Sequence, residues 1–240
     1  MRRLADRFTM DEVRRFWDGA AEGYGRENER IGWIHTQRFK EGLKRLSLKP
    51  GMRVLNVWSR VGGAIPHVRR ACGDLRLINA ELSFAMLKYS RAQFPDEAFV
   101  QTALHELPFA AASFDAVLSL ETLEHVPNPR LFLEEVRRVV VDGGTFVMSL
   151  PPSLAEWTSA LNNVFGFHHG EGPHRFISPR EVKVLLAGSG FNLTSHRGTL
   201  FVPLKAAPFE ALDAKLSGMF RDGPLAQLGL RQFYVCEASE

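Results

Sequence analysis

Three places in this chain bring together residue types that do chemistry. The first is "VLNVWSRVGG", Val54 to Gly63, where an apolar run ends in a polar, glycine-bearing turn. A turn of that kind after a buried strand is where an α/β protein seats a nucleotide, because glycine lets backbone and ligand approach closely. Here the first glycines of such a turn are missing, and Arg60 instead offers a planar fork of donors that suits a ligand carboxylate. The second place is Glu81, nineteen positions after Gly62. That is close to the spacing of roughly twenty residues at which an acidic side chain accepts hydrogen bonds from ribose hydroxyls. The third is "FHHGEGPHRF", with His168, His169 and His174 beside Glu171. A histidine of ordinary pKa takes a phenol or hydroxyl proton at neutral pH, and His174 is the candidate base. A loop histidine bonded to backbone is the alternative. Zinc on these histidines would need a fourth ligand and rigid spacing that a glycine-bearing loop does not promise, so no metal site is expected.

The elements that must position these residues follow from periodicity. "FTMDEVRRFWDGAAEGY" opens with Thr9 and Glu12 at capping-box spacing, and Val13, Phe16, Trp17 and Ala20 recur at helical intervals. A second helical stretch, "IHTQRFKEGLKRL", runs to the Pro-Gly turn of "SLKPGM". Strand and helix signals then alternate: "MRVLNVW", "GAIPHVRRACG", "LRLINAEL", "SFAMLKYSRAQF", "EAFVQTAL" and the strand within "LPFAAASFDAVLSLETL". "NPRLFLEEVRRVVVDGG" reads as a helix stopped by Gly143 and Gly144, and "TFVMSLPP" as a fifth strand. Such alternation predicts an α/β fold, a doubly wound, mostly parallel sheet whose ligand sits outside the carboxyl ends of the strands. "SPREVKVLLAGSGF" is a helix with Ser178 as N-cap, Pro179 at its first position and a Gly190 stop. "NLTSHRGTLFVPL" and "LRQFYVCEA" are late strands, the second closing the sheet edge.

The totals narrow the setting. At 240 residues and 45% hydrophobic, the chain suits one domain with a full core. The net charge of +3 is scattered among acids at helical spacing, a solvated-face pattern, so no nucleic-acid partner is expected. No apolar run approaches the roughly 18 residues of a membrane span, and the arginine-led N-terminus lacks the apolar stretch of a signal peptide. Cys72 and Cys236 read as reduced thiols and the location as cytoplasmic.

The order of segments resembles the class I S-adenosylmethionine-dependent methyltransferases, in particular the small-molecule, ubiquinone-methylase-like branch (methyltransferase type 11), over roughly Trp17 to Phe191. "ELPFAAASFDAVLSLETLEHVPNP" is similar to the family's stretch around the fourth strand almost word for word. "FLEEVRRVVVDGGTFVMSLPP", "WDGAAEGY" and "PHRFISPREVKVLLAGSGF" resemble the following helix and strand, a segment folded over the cofactor, and the helix after an acceptor-binding insertion. The resemblance implies a Rossmann-like single domain over 1–240, with an N-terminal helical flap at 1–48 and an acceptor-lid insertion after strand five at 153–180.

It also implies a cofactor, S-adenosyl-L-methionine, and the residues that would hold it. Where the family has an acidic residue and then Gly-x-Gly-x-Gly, this chain has Asn56, Trp58, Ser59, Arg60, Val61 and Gly62. Glu81 takes the ribose, its alternative being a lone exposed glutamate; Met86 packs on the adenine face or is equally a core residue, and Leu82 and Leu104 complete the cofactor-binding set. Ala103 stands where the family commonly has an aspartate, with His105 or Glu106 as substitutes. Glu121 closes the fourth strand, and Tyr24 lies over the cofactor or the acceptor as part of the flap, with Trp33 and His35 at the same mouth. His125 braces the helix after strand four. Trp157, Phe165, Phe167 and Phe176 line an apolar acceptor pocket or its roof, with plain core as the alternative for aromatics at such density. The function implied is methyl transfer to a small or lipid-like acceptor through an atypical loop. Two readings stand against it: a methyltransferase-like binding or partner subunit without activity, in which Trp58 fills an abandoned pocket, and a site for another nucleotide-like ligand seated by Arg60. The oligomeric state is not legible.

Overall fold

The computed structural model describes residues 8–30, 32–151, 172–202, 207–220 and 223–240. The chain enters on α1 (Met10–Arg30) and α2 (Gly32–Leu43). The capping box at the start of α1 forms as the sequence predicts: the Glu12 amide donates to Thr9 Oγ1 at 3.2 Å, and the Thr9 amide to Glu12 Oε2 at 2.7 Å. Then come β1 (Arg53–Val57), α3 (Ile65–Ala71), β2 (Arg76–Glu81), α4 (Phe84–Gln93), β3 (Ala98–Gln101) and β4 (Phe114–Leu120). A 3-10 turn (Leu123–His125) leads into α5 (Pro129–Val139) and β5 (Val140–Leu150). The last elements are α6 (Pro179–Gly188), β6 (Phe191–Thr199), α7 (Ala207–Met219), a 3-10 turn (Pro224–Leu228) and β7 (Arg231–Ala238).

The seven strands form one sheet in the order β3-β2-β1-β4-β5-β7-β6. Strands β1 to β5 pair in parallel, and β7 alone runs the other way, antiparallel to β5 on one side and to β6 on the other. Alternating strand residues feed two cores, one on each face. Leu55 and Val57 of β1 join Val117 of β4, Trp17 of α1 and Phe132 of α5 on one side. Val54 joins Leu118, Leu46 and Ile65 on the other. Strands buried on both faces in this way explain the near-continuous apolar runs of the sequence. The order reverses between β1 and β4, so the crevice of the doubly wound sheet opens where β1 passes into Trp58.

Three sequence expectations change. The strand "LRQFYVCEA" does not close the edge; β7 inserts between β5 and β6, and β6 is the edge strand. Burial explains the order: β7 is buried at six of its eight positions, whereas Asn192 and Thr194 of β6 are exposed to solvent. The helix α5 ends at Val139 rather than at the glycines, because the β-branched run Val139-Val140-Val141 passes into a strand. Gly143 and Gly144 then fall in an irregular stretch where the β4–β5 register shifts. Helix α7 carries no strong sequence signal and went unforeseen; its Asp213 accepts hydrogen bonds from the amides of Phe201 and Val202. By contrast α6 begins as predicted, with Ser178 Oγ accepting from the Glu181 amide at 3.3 Å and Pro179 in its first turn.

The contact between β6 and the turn before β7 has no spare room. A methyl group at Gly198 would lie 2.0 Å from the carbonyl oxygen of Ala226, which is backbone and cannot swing away. Gly198→Ala is therefore expected to lower stability by about 2 kcal/mol or more, in the range of overpacked core substitutions. Urea denaturation of the two proteins checks it, and an unchanged midpoint contradicts it.

Candidate functional site

The loop after β1 is built around non-glycine residues in the left-handed region. Trp58 has φ +58° and Arg60 φ +53°, conformations that cost about 1 kcal/mol or more each for such side chains. What holds them is a set of backbone bonds. The Ser59 amide donates to Ala80 O at 3.0 Å, and the Arg60 amide to Glu81 Oε2 at 2.6 Å. The Ser83 amide donates to the other oxygen, Oε1, at 2.8 Å. Ser90 Oγ of α4 donates to Arg60 O at 2.6 Å. The surviving glycine has a reason to survive: Gly62 has φ +80°, and a Cβ there would lie 2.8 Å from the Phe94 ring.

The Arg60 side chain turns back under α1. Its guanidinium carbon lies 3.6 Å from the ring centroid of Trp17 and 4.2 Å from that of Trp58, with Tyr24 further off at 5.7 Å. His125 meets both indoles edge-on, at centroid distances of 5.6 and 5.1 Å. Arg60 Nη2 donates to Glu121 O at 3.2 Å, while Nη1 is buried without an acceptor. Helix α1 is fastened above this cluster by Asp18, whose Oδ1 accepts from Ser83 Oγ at 2.6 Å at the start of α4. Trp17, Trp58 and Arg60 are each at least nine-tenths buried. The crevice at the strand ends is thus filled by a cation between two aromatic faces.

Around this cluster lie carboxylates in unequal settings. Burial pushes the Glu81 carboxyl up to about 7, against the hold of the Ser83 amide and the Arg60 charge. Burial and the neighbouring Glu121 push Glu124 up to about 8, and its Oε2 has no hydrogen-bond partner. Burial, helped by the Arg60 charge, holds His125 well below its ordinary range. Glu121, itself at φ +54°, bonds Arg38 through Oε2 and Arg231 Nε through Oε1 at 2.6 Å, and Arg231 reaches Gln37 at 2.7 Å. Glu124 is the site residue that sequence reasoning missed. Its signal was present, a second glutamate three residues after Glu121 in "ETLEH", but its burial is not visible in a sequence.

The predicted site residues divide into those brought together and those not. Trp58, Ser59, Arg60, Gly62, Glu81, Glu121 and Tyr24 converge on the crevice. Asn56 turns its amide to the Asn79 oxygen at 3.0 Å, across the β1–β2 pair and on the face that carries α2 and α3. Glu81 is not the open acceptor expected of it: it is fully buried, and both its oxygens already accept backbone amides. Leu82, Met86 and Leu104 are core residues packed in one cluster with Trp17 and Trp58. His105 and Glu106 are exposed, so neither reaches the buried crevice. His125 braces not the following helix but the segment after the insertion, through Nδ1 to Pro173 O at 2.9 Å. That segment is pinned further by the Arg175 amide to Glu124 O at 2.9 Å. It brings His174 to 6.0 Å from the His125 ring, and His174 Nδ1 bonds Gly172 O at 2.9 Å, the backbone contact weighed as its alternative role. Phe176 packs edge-on against His174 at 5.2 Å. His168, His169, Glu171, Trp157, Phe165, Phe167 and most of the 153–180 insertion lie outside the described residues, as do the side chains of Trp33 and His35.

A methyltransferase-domain family profile matches residues 59–148. Among curated proteins, the chain is 37% identical over 116 residues to the "Probable phthiotriol/phenolphthiotriol dimycocerosates methyltransferase 2" of Mycobacterium ulcerans, covering 46% of this chain and 45% of that one. It is 32% identical over 141 residues to the demethylmenaquinone methyltransferase of Renibacterium salmoninarum, covering 58% of each. The chain thus spans about half the length of the curated relatives it matches. Among solved structures, a Thermotoga maritima S-adenosylmethionine-dependent methyltransferase, a possible histamine N-methyltransferase, superposes with a TM-score of 0.69 at 18% identity, covering 95% of this chain and all of that one. At that identity the likeness is one of fold. Among the described residues no helix is long and apolar enough to cross a membrane.

The buried carboxylates give stability a pH dependence of known sign. Glu81 and Glu124 are raised above their ordinary 4.5, so the stability they lend as neutral acids is complete below about 4.5 and is lost as pH rises through about 7 and 8. His125 acts oppositely, but only below its ordinary value of 6.5. Between pH 6.5 and 8.5 stability should therefore fall, by up to about 1.4 kcal/mol per pH unit for each carboxyl the fold still holds protonated, and level off once both have ionised. Glu124→Gln should flatten the upper part of that decline. Denaturant midpoints measured across this range check it; a rising or level curve in the unaltered protein contradicts it.

Proposed function

We propose, on the premise that this chain belongs to the class I S-adenosylmethionine-dependent methyltransferase family, that it transfers a methyl group from S-adenosylmethionine to a small or lipid-like acceptor at the crevice beside Glu81. The observation that carries this reading is the Glu81 carboxylate itself, buried at the end of β2 against the loop after β1, where a doubly wound sheet takes its ligand. Its two oxygens hold the amides of Arg60 and Ser83, so the carboxyl sets the shape of the loop that lines the crevice. The residues around it suit the cofactor's chemistry. Trp17 and Trp58 already hold a cation between their faces, which is how an aromatic pair would receive a sulfonium. Trp58 Nε1 and Arg60 Nη1 are buried donors without acceptors, available to a carboxylate.

The bound cofactor would supply an activated methyl group for in-line displacement, and the chain's own task is to align the acceptor and exclude water. In this reading the Arg60 side chain leaves the indoles and helix α1 shifts to admit the ligand. Asp18 is then the fastening that reforms over it. His174 is the candidate to hold an acceptor proton, standing at the mouth on the segment that Glu124 and His125 pin. The relatives' names, for methylation of demethylmenaquinone and of phthiotriol dimycocerosates, favour a lipid-like acceptor.

A second reading is favoured by one observation, the filling of the crevice by Trp17, Trp58 and Arg60. If those side chains never vacate it, the fold serves as a binding or partner subunit without methyl transfer. Calorimetric titration with S-adenosylhomocysteine separates the two. The first reading expects a dissociation constant on the order of 10 µM, weakened about tenfold or more by Glu81→Ala. Absence of heat at about 1 mM ligand, a hundredfold above that expectation, selects the second.

A further inference from the structure

A cleft of about 450 Å³ lies away from the strand-end crevice, in the gap between α2 and α7 with β6 as its floor. None of the residues assigned to the cofactor or the acceptor lines it. Each of its three sides carries a buried hydrogen-bond donor without a partner: Arg45 Nε on α2, Thr199 Oγ1 on β6 and Ser217 Oγ on α7. A native protein pairs nearly all such groups, so three around one cleft mark a site that an acceptor completes. Two cations join them. Arg197, two residues before Thr199 on the same face of β6, and Lys40 of α2 have no ion-pair partner among the described residues. The remaining cations are already paired: Lys44 and Arg45 both bind Glu41, at 2.8 and 2.9 Å, and the Arg45 guanidinium lies over the Phe233 ring at 4.9 Å. Asp213 is held by the amides of Phe201 and Val202. That leaves Glu210, on the α7 side, as the one carboxylate of the lining without a partner among the described residues. The rest of the α7 side is small, with Ala214 and Gly218 beside Ser217, so the helix leaves the gap open.

We propose that this cleft binds a phosphate ester whose far end carries a hydroxyl or ammonium group, the phosphate being held by Arg197 and Lys40. Donors stand on three sides of the space. That arrangement suits a tetrahedral group, whose oxygens point in several directions, better than a carboxylate, whose acceptor positions lie in one plane. The hydroxyls of Thr199 and Ser217 turn about a single bond to meet it, and Arg45 offers Nε while keeping its bond to Glu41. Glu210 accepts from the far end of the ligand, and this contact separates an ester from inorganic phosphate. A soluble phosphate ester and a phospholipid headgroup carry the same chemistry. The inference goes beyond methyl transfer and does not rest on it.

Calorimetric titration of the protein with glycerol 3-phosphate, phosphoethanolamine, glycerol and inorganic phosphate tests it, beside sedimentation with vesicles of phosphatidylglycerol or phosphatidylethanolamine. One of the two free esters should bind about tenfold or more tighter than glycerol and than inorganic phosphate. If only vesicles bind, and Arg197→Gln releases them, the source is a lipid headgroup. Arg197→Gln should weaken whichever ligand binds by about tenfold, and Lys40→Gln by about threefold. Ala214 lines the cleft and is exposed, so Ala214→Phe narrows the space without entering the core. It should weaken binding about tenfold or more while the circular dichroism spectrum and the thermal midpoint stay unchanged. The proposal is overturned if neither ester outbinds inorganic phosphate and no vesicle binds, if binding survives Arg197→Gln and Ala214→Phe, or if S-adenosylhomocysteine displaces the ester competitively. Ester binding in a protein that gives no heat with S-adenosylhomocysteine would count against methyl transfer and leave this site standing.

Discussion

Arg60 is the residue through which the ends of the sheet are joined. Its amide binds Glu81 of β2, its carbonyl accepts from Ser90 of α4, and its Nη2 bonds the Glu121 carbonyl after β4. Its guanidinium lies between Trp58 of its own loop and Trp17 of α1. A desolvated cation over two indoles gains on the order of 2 kcal/mol, enough to offset the left-handed backbone at Trp58 and Arg60. It also fixes helix α1 over the crevice, because Trp17 has its partner there and Asp18 fastens the same helix to the start of α4. Whether this place is a gate or a plug is therefore a question about how readily one side chain leaves two rings.

The charges around Arg60 follow from its position. A buried cation favours nearby carboxylates, yet burial disfavours their ionised form, and the balance differs at each. Glu81 holds two amide donors and rises only to about 7. Glu124 has an oxygen with no donor and rises to about 8. Glu121 is drawn into a cluster with Arg38 and Arg231 that ties α2 and β7 to the end of β4.

What was legible in the sequence was what is local. The Thr9–Glu12 box, the Ser178 cap and the alternation of strands and helices are set by residues a few positions apart, and each appears where spacing put it. The spacing from Gly62 to Glu81 was legible as well, because it measures one helix and one strand. The order β5-β7-β6 was not, since pairing of β7 depends on the apolar content of distant strands and not on its neighbours. Nor was the filling of the crevice. Trp58 and Arg60 were readable as departures from a glycine-rich loop, but their partner Trp17 lies forty-one residues from Trp58 and read only as a core position of an amphipathic helix. Met86, likewise, was an apolar residue of two uses, and the fold settled it, together with Leu104, in the core with the indoles.

The central claim is that the Arg60 guanidinium and the Trp17 indole hold each other. A double-mutant cycle of Trp17→Leu and Arg60→Met, followed by urea denaturation, measures that coupling directly. The account predicts an interaction free energy of about 1 kcal/mol or more between the two substitutions. Strict additivity, within about 0.3 kcal/mol, would mean that the cation and the ring are merely adjacent. The closing of the crevice would then need another cause.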